Sequence, residues 1–410
     1  MEMVMAWRNV WRNPRRTILT IMAIAFACLL LVFMLSFQFG TYEVMIDSAV
    51  KTQTGHLQIL IDGYNDDHKI RKVVNHPQAI GKLLNQTATI TGYTFRANAF
   101  ALLSSRQRTH GGLVTGIDPV REARLSSIAE TIRSGAYLAP TDTNKAIIGV
   151  LLAKRLHVDV GDELVVLGSA RDGSIAATVL TIKGIFSSGI DDYDRSGIRI
   201  PLAYFQEIFA MGGAVHQIVI TCESLGVVKQ TQTILSEKLP LFDNEKELVC
   251  MTWDELMPGL LQSIEMDLGG GIIFYIILIV VVAFSIMNTF LIAVFERTHE
   301  FGTLMAIGAK PGRLTKMLLL ESAFLTACGI LIGIAAGCAL TFYYQSAGIP
   351  LGDAAGMLSQ YGIPNRIHPK LTLITATTGP VVVFLITMIT ALYPALKVRS
   401  LKPVEALRAG

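Results

Sequence analysis

Four stretches of this chain stay apolar for longer than a soluble core element requires, and the polar sequence is distributed around them. The first, Thr17 to Phe39, carries no charge and exceeds the ~20 residues needed to cross a bilayer as a helix. Gly271 to Val294, Met317 to Tyr344 and Leu371 to Leu396 meet the same test. The pattern predicts transmembrane helices at 17–44, 266–295, 317–344 and 371–396. The first run is too long for a secretory signal, and it continues past the box-like Ala25-Phe26-Ala27-Cys28, so cleavage there is not expected.

Between the first two runs, residues 45–265 read as an ordinary folded domain of mixed α and β structure. HLQILI (56–61) alternates like a half-buried strand, HPQAIGKLLNQ (76–86) has helical spacing, and 87–103 returns to strand character. GDELVVLGS and AATVLTIKGIF form a strand pair joined by ARDGS, with Asp172-Gly173 as the turn signal. The later alternation HQIVITC, LGVVKQTQTILSEKL, ELVCMTW predicts a separate split-βαβ subdomain. The fold class is therefore an α+β membrane protein: four transmembrane helices, a large mixed α/β domain between the first two, and a short loop, 345–370, between the last two.

Charge orients the spans. Arg8, Arg12, Arg15 and Arg16, then Arg297, Lys310, Arg313 and Lys316, then Lys397, Arg399, Lys402 and Arg408 fall at ends that share one side. The positive-inside rule makes that side cytoplasmic, with both termini inside and the large domain outside. Val4, Trp7, Val10 and Trp11 recur at helical spacing before Pro14, which predicts a cytoplasmic interfacial helix over 1–16. The segment 397–410 is a cytoplasmic tail.

Composition agrees, with 51% hydrophobic and 16% charged residues against roughly 25% charged in soluble domains. A net charge of +3 gives no reason to expect nucleic acid. Cys28, Cys328 and Cys338 sit in apolar runs as packing residues, while Cys222 and Cys250 lie in strand-like segments where a disulfide could form if that domain faces the periplasm. The histidines lack metal-ligand spacing, and the acidic cluster Asp191, Asp192 and Asp194 reads as a solvated turn. The sequence contains no phosphate loop and no catalytic signature, so no cofactor, metal or enzymatic activity is assigned to this chain.

The connection 296–316 carries the most specific pattern. Glu296, Arg297 and Glu300 follow the second span, and Phe301, Leu304, Met305 and Ile307 give an apolar face beside Gly302, Ala306 and Gly308. This is a short amphipathic helix that either rests on lipid at the interface or receives another surface, in the second case with Phe301 and Leu304 as anchors and Glu300 available to a basic partner. In the third span Gly329, Gly333 and Gly337 recur every fourth residue, a packing face within the protomer or across a dimer. Asn288 and Glu321 are polar at membrane depth and are expected to face protein and pair.

AWRNVWRNPRRT, GIDP (116–119), IIGVLLAKRLHVDVGDELVVL (147–167), TIKGIFSSGIDDYD (181–194), FERTHEFGTLMAIGAKPGRL (295–314) and ALYPALKVRSLKPVEALR (391–408) together resemble the MacB/FtsX-type permeases of ABC transporters, with the layout of the lipoprotein-releasing LolC and LolE subunits. The resemblance implies a bacterial inner-membrane permease that pairs with a second permease and binds two ATPase subunits, which carry the ATP and Mg. Rigid movement of the helices would pass ATP-driven closure to the outer domains. It implies release of lipoproteins or other lipid-anchored cargo, with a tripartite efflux permease or a regulator of cell-wall hydrolases as alternatives, and a periplasmic carrier or membrane-fusion protein as a further partner. The chain departs from LolC in one place: the turn from Gly168 to Ile175 is short where LolC-type subunits carry an extended hook, which resembles LolE or a self-pairing relative.

Overall fold

The computed structural model describes residue 8 and residues 11–106, 108–242, 247–350, 352 and 366–400. Val4, Trp7 and Val10 of the expected interfacial helix, most of the 345–370 loop and the tail beyond Ser400 lie outside the described residues. Two compact units are formed, one helical and one globular.

Four long helices make up most of the helical unit: Pro14–Ala49, Pro258–Glu296, Pro311–Ala347 and Leu373–Lys397. Three of them start at a proline, which suits the first helical turn because its missing N–H would have no partner there. The fourth is capped by Thr372, whose hydroxyl accepts from the Thr375 N–H at 3.2 Å. All four are long and apolar enough to cross a membrane. The first and second continue well past their apolar runs, so the helices are longer than the spans read from hydropathy.

The glycine face of the third helix packs against the first. A Cβ on Gly333 would stand 2.6 Å from both the Ala25 carbonyl oxygen and the Cys28 Cβ, and one on Gly329 would stand 2.7 Å from the Ile24 Cβ. Gly337 lies over Val32 and Leu29 in the same manner. The two backbones approach as closely as glycine permits, so this face is used inside the protomer.

In the globular unit ten strands form one mixed sheet: β1 (Leu57–Ile61), β2 (Ile90–Ser104), β3 (Thr109–Ile117), β4 (Ile132–Gly135), β5 (Lys145–Gly149), β6 (Glu163–Ser169), β7 (Ile175–Phe186), β8 (Gly197–Pro201), β9 (Gln217–Cys222) and β10 (Leu248–Thr252). The order is β10-β1-β9-β2-β3-β8-β5-β7-β4, with β6 joining β2 to β7. β9 and β10 flank β1 and are linked by the helix Val228–Lys238, so the expected split βαβ is present. It is not a separate subdomain, because β9 also pairs with β2 from Ile90 to Arg96. The fifteen residues of β2 are long enough to serve two cores: Phe95 packs with Ile59, Ile218 and Leu235, while Ala99 and Leu103 pack with Ile148, Leu164 and Phe205.

β6 and β7 close a tight hairpin, with Ser169 opposite Ile175 and the Ala170 N–H donating to the Ser174 carbonyl at 2.9 Å. Gly173 takes φ 91°, where a side chain would be strained. Asp118 of GIDP caps the helix Pro119–Leu125, accepting from the Val120 N–H at 3.0 Å. The acidic cluster differs from the solvated turn expected: Asp194 is buried and accepts from the Ser188 N–H at 2.9 Å and the Ser188 hydroxyl at 2.6 Å. Burial raises its carboxyl above the ordinary aspartate value. Cys222 and Cys250 are both buried and both free. The sheet order explains this, since β1 lies between their strands and next-nearest strands stand ~10 Å apart, beyond disulfide reach.

Candidate functional site

The short helix Thr298–Ala306 follows the second long helix directly and is pinned at several points within the helical unit. Phe301 is 1% exposed and packs with Val294, Leu314, Leu318 and Val398. The sequence offered Phe301 as an anchor for another protein. The structure corrects this, because an aromatic ring packed among four of its own neighbours has no surface left to give. Gly302 is buried beside it.

Two ion pairs hold the same helix. Arg297 is buried and donates to Glu321 on the third long helix, at 3.0 Å and 3.3 Å to the two carboxylate oxygens. Each charge has replaced water with the other, an arrangement that is costly to break from one side. Glu300, expected to meet a basic residue of a partner, instead accepts from Arg12 of its own chain, with one contact at 3.0 Å. The Arg12 hydrogen bond holds the Glu300 carboxyl below its ordinary value. Arg16 pairs with Glu296 at 2.8 Å. Both of these pairs lie at the surface, where water screens them, and they hold the helix more weakly than the buried pair does. They were missed in the sequence, although topology contained the signal: a basic stretch before the first span and acids after the second fall on the same side of the membrane.

What remains open on this helix is its other side. Leu304 and Ala306 are exposed, Ile307 is 80% exposed, and Gly308 ends the segment at φ 102°. A helix immobilised on one side and apolar on the other can transmit force from a surface docked against it, because the dock and the long helices share packed contacts.

Asn288 is exposed within its own chain, on the second long helix beside the exposed Phe284 and Ile292. Only 6% of the apolar window of that helix is buried, against 44% for the first and 39% for the fourth. Near its other end Asp267 accepts from Tyr42 at 2.5 Å and from Gln38 at 3.1 Å, tying the second helix to the first.

Sequence comparison gives two family models. Residues 17–237 match the MacB-like periplasmic core domain and residues 272–403 match the FtsX-like permease C-terminal model. The lipoprotein-releasing system transmembrane protein LolC of Xylella fastidiosa is 24% identical over 315 residues, covering 74% of each chain. The ABC transporter permease YtrF of Bacillus subtilis is 22% identical over 446 residues, covering 98% of this chain and 97% of its own. Among solved structures, the periplasmic region of MacB from Actinobacillus actinomycetemcomitans aligns at a TM-score of 0.38 with 14% identity, over 54% of this chain and 97% of that one.

Proposed function

We propose, from the premise that the chain belongs to the FtsX-like permeases with a MacB-like periplasmic core domain and is an ABC transporter permease of the bacterial inner membrane, that it releases lipoproteins or other lipid-anchored cargo from that membrane. Two ATPase subunits on separate chains carry ATP and Mg and dock on the exposed side of Thr298–Ala306, at Leu304, Ala306, Ile307 and Gly308. The observation that carries this is the pinning of that helix by Phe301, Arg297 and Glu300, which leaves a rigid apolar surface outward. Both termini lie in the cytoplasm and the globular unit lies outside.

Asn288 supports a second permease as partner. A polar amide facing lipid is unfavourable, and a partner helix over the open second helix would cover it. The likeness to LolC over most of both chains supports lipid-anchored cargo. The short β6–β7 turn supports a LolE-like or self-pairing subunit over one with a docking hook.

The test is ATP hydrolysis by the complex purified with its ATPase and reconstituted in proteoliposomes. Added triacylated lipoprotein is expected to stimulate hydrolysis and to appear in the soluble fraction. Stimulation by small amphiphilic drugs with no response to lipoprotein would overturn the cargo assignment in favour of efflux.

A further inference from the structure

One strand edge of the globular unit is left open. β7 has β6 along one side from Ile175 to Thr181, while on its other side β5 begins only opposite Thr181 and β4 only opposite Gly184. Among the described residues, the second side of Ile175–Leu180 meets no strand and makes no backbone hydrogen bond.

The groups that point out of this edge can be assigned. In an antiparallel ladder alternate residues exchange hydrogen bonds with the facing strand, and the residues between them turn their N–H and C=O away. The Thr181 N–H fixes which are which. It leaves β6 and donates to the Asn144 carbonyl at 2.9 Å, while the neighbouring Ile182 N–H donates to the Asp162 carbonyl at 3.0 Å on the β6 side. Counting back by twos from Thr181, the residues Val179, Ala177 and Ile175 turn their N–H and C=O groups outward, with no backbone partner among the described residues.

The same three residues are exposed, Ile175 at 78% and Val179 at 47%. Val165 and Leu167 on β6 stand opposite Val179 and Ala177 and are exposed too, so apolar surface continues inward from the edge. Folded proteins usually blunt such an edge with lysine, proline, a bulge or a short strand. β4, at one end of the sheet, is four residues long and carries the exposed Arg133. Along Ile175–Leu180 there is no charge, no proline and no shift of register.

The edge is also complementary to itself. Its outward residues lie evenly about Ala177, and a two-fold axis, the commonest symmetry of protein pairs, sets two identical edges antiparallel. With Ala177 facing its own copy, Ile175 stands opposite Val179 across the axis. That register pairs every outward N–H and C=O of both copies, and a shift by two residues in either direction leaves some unmet. The small side chain then lies at the axis between two large apolar pairs. A foreign strand could use the same hydrogen bonds, but nothing about a foreign strand calls for outward residues placed evenly about a small central one.

We propose that the globular units of two copies of this chain join through this edge, β7 to antiparallel β7, with Ala177 on the two-fold axis. This rests on the reading of the second permease as a copy of this chain, and it supplies the surface that reading needs outside the helices.

The experiment is oxidative cross-linking of the full-length chain in isolated membranes with copper phenanthroline. Cα atoms of a hydrogen-bonded antiparallel pair stand ~5.5 Å apart, inside the ~4.4–6.8 Å reach of a disulfide. Ala177→Cys is therefore expected to give a reducible band of twice the chain's mass, well above the parental background from the native cysteines. Val165→Cys, one strand inward, would stand at least ~14 Å from its copy and should add nothing to that background. Ala177→Lys sets two like charges face to face at an exposed position, and it should abolish the cross-link formed by Ile175→Cys with Val179→Cys. Native mass spectrometry of the purified complex counts the copies. Two copies with no band from Ala177→Cys would overturn the proposal alone. A single copy would overturn it together with the self-pairing reading, the result expected if a foreign strand occupies the edge. An equal band from Val165→Cys would mark random collision and overturn it as well.

Discussion

In the helical unit one buried arginine meets one carboxylate, whereas in the globular unit two buried arginines share one. The Arg297–Glu321 pair is balanced and serves to fix the short helix Thr298–Ala306 to the third long helix. The Arg96–Glu122–Arg199 cluster is not balanced, and a polar cleft opens beside it. A closed pair and an incomplete one do separate work: the first holds an element in place, and the second leaves positive charge uncompensated inside the sheet domain.

Removing Glu122 is the severest way to test the contrast. Glu122→Gln would strand two buried guanidiniums, at a cost of about 4 kcal/mol or more. Hydrogen exchange followed by mass spectrometry should show protection lost across the β2, β3 and β8 peptides. Parental protection would mean that the cluster is solvated and the comparison unfounded.

Glu321→Gln strands only Arg297 and should cost about 3 kcal/mol, with the loss confined to the helical peptides. Replacing both partners, Arg297→Met with Glu321→Met, should restore most of the stability, because a balanced pair can be exchanged for apolar packing. If the double variant is as unstable as the single, the pair does more than hold.

Acid should separate the units further. His216 is buried, accepts from the Asn98 N–H at 3.0 Å and faces the Ile70 carbonyl through its other ring nitrogen at 3.1 Å. Burial pushes its pKa down to about 4 from an ordinary value near 6.5. Between those values the unfolded chain binds a proton that the folded one refuses, so stability falls as pH drops. The loss should reach about 2 kcal/mol by pH 5. In the helical unit His299 and His368 are exposed. Protection measured at pH 7 and pH 5 should therefore fall chiefly in the globular peptides, and His216→Gln should reduce that response, the remainder coming from His56, whose pKa burial also lowers.

The smallest effect on stability belongs to Leu304→Ser with Ile307→Ser, expected within about 0.5 kcal/mol because both side chains are exposed. ATP hydrolysis stimulated by the permease should nevertheless be lost, since an anchor at an interface typically contributes about 1–4 kcal/mol to docking. Phe301→Ala, by contrast, should lower stability by about 3–5 kcal/mol through the cavity it leaves. Parental hydrolysis in the Leu304/Ile307 variant would remove this surface from the coupling path.

What could be read in the sequence follows from how local each signal is. Hydropathy runs show the four spans because each helix satisfies its own backbone. Asp172-Gly173 shows the hairpin because the turn lies between its strands. Phe301 misled because periodicity separates apolar from polar faces but does not say whether the apolar one meets its own chain. The Arg96–Glu122–Arg199 cluster was invisible, because it depends on β8 lying parallel to β3, with Leu113 opposite Gly197, a pairing that no local pattern encodes.

The sheet order has a consequence for biogenesis. β1 is the first strand of the domain to be synthesised, yet its neighbours are β9 and β10, with Leu57 opposite both Ile220 and Thr252. The apolar Leu57, Ile59 and Leu60 must therefore wait unpaired while the intervening chain is translated. Contacts of such long sequence separation form slowly, and in the interval an open strand edge can pair with other chains. The pairing of β1 cannot be completed before β10, the last strand of the domain, has been synthesised.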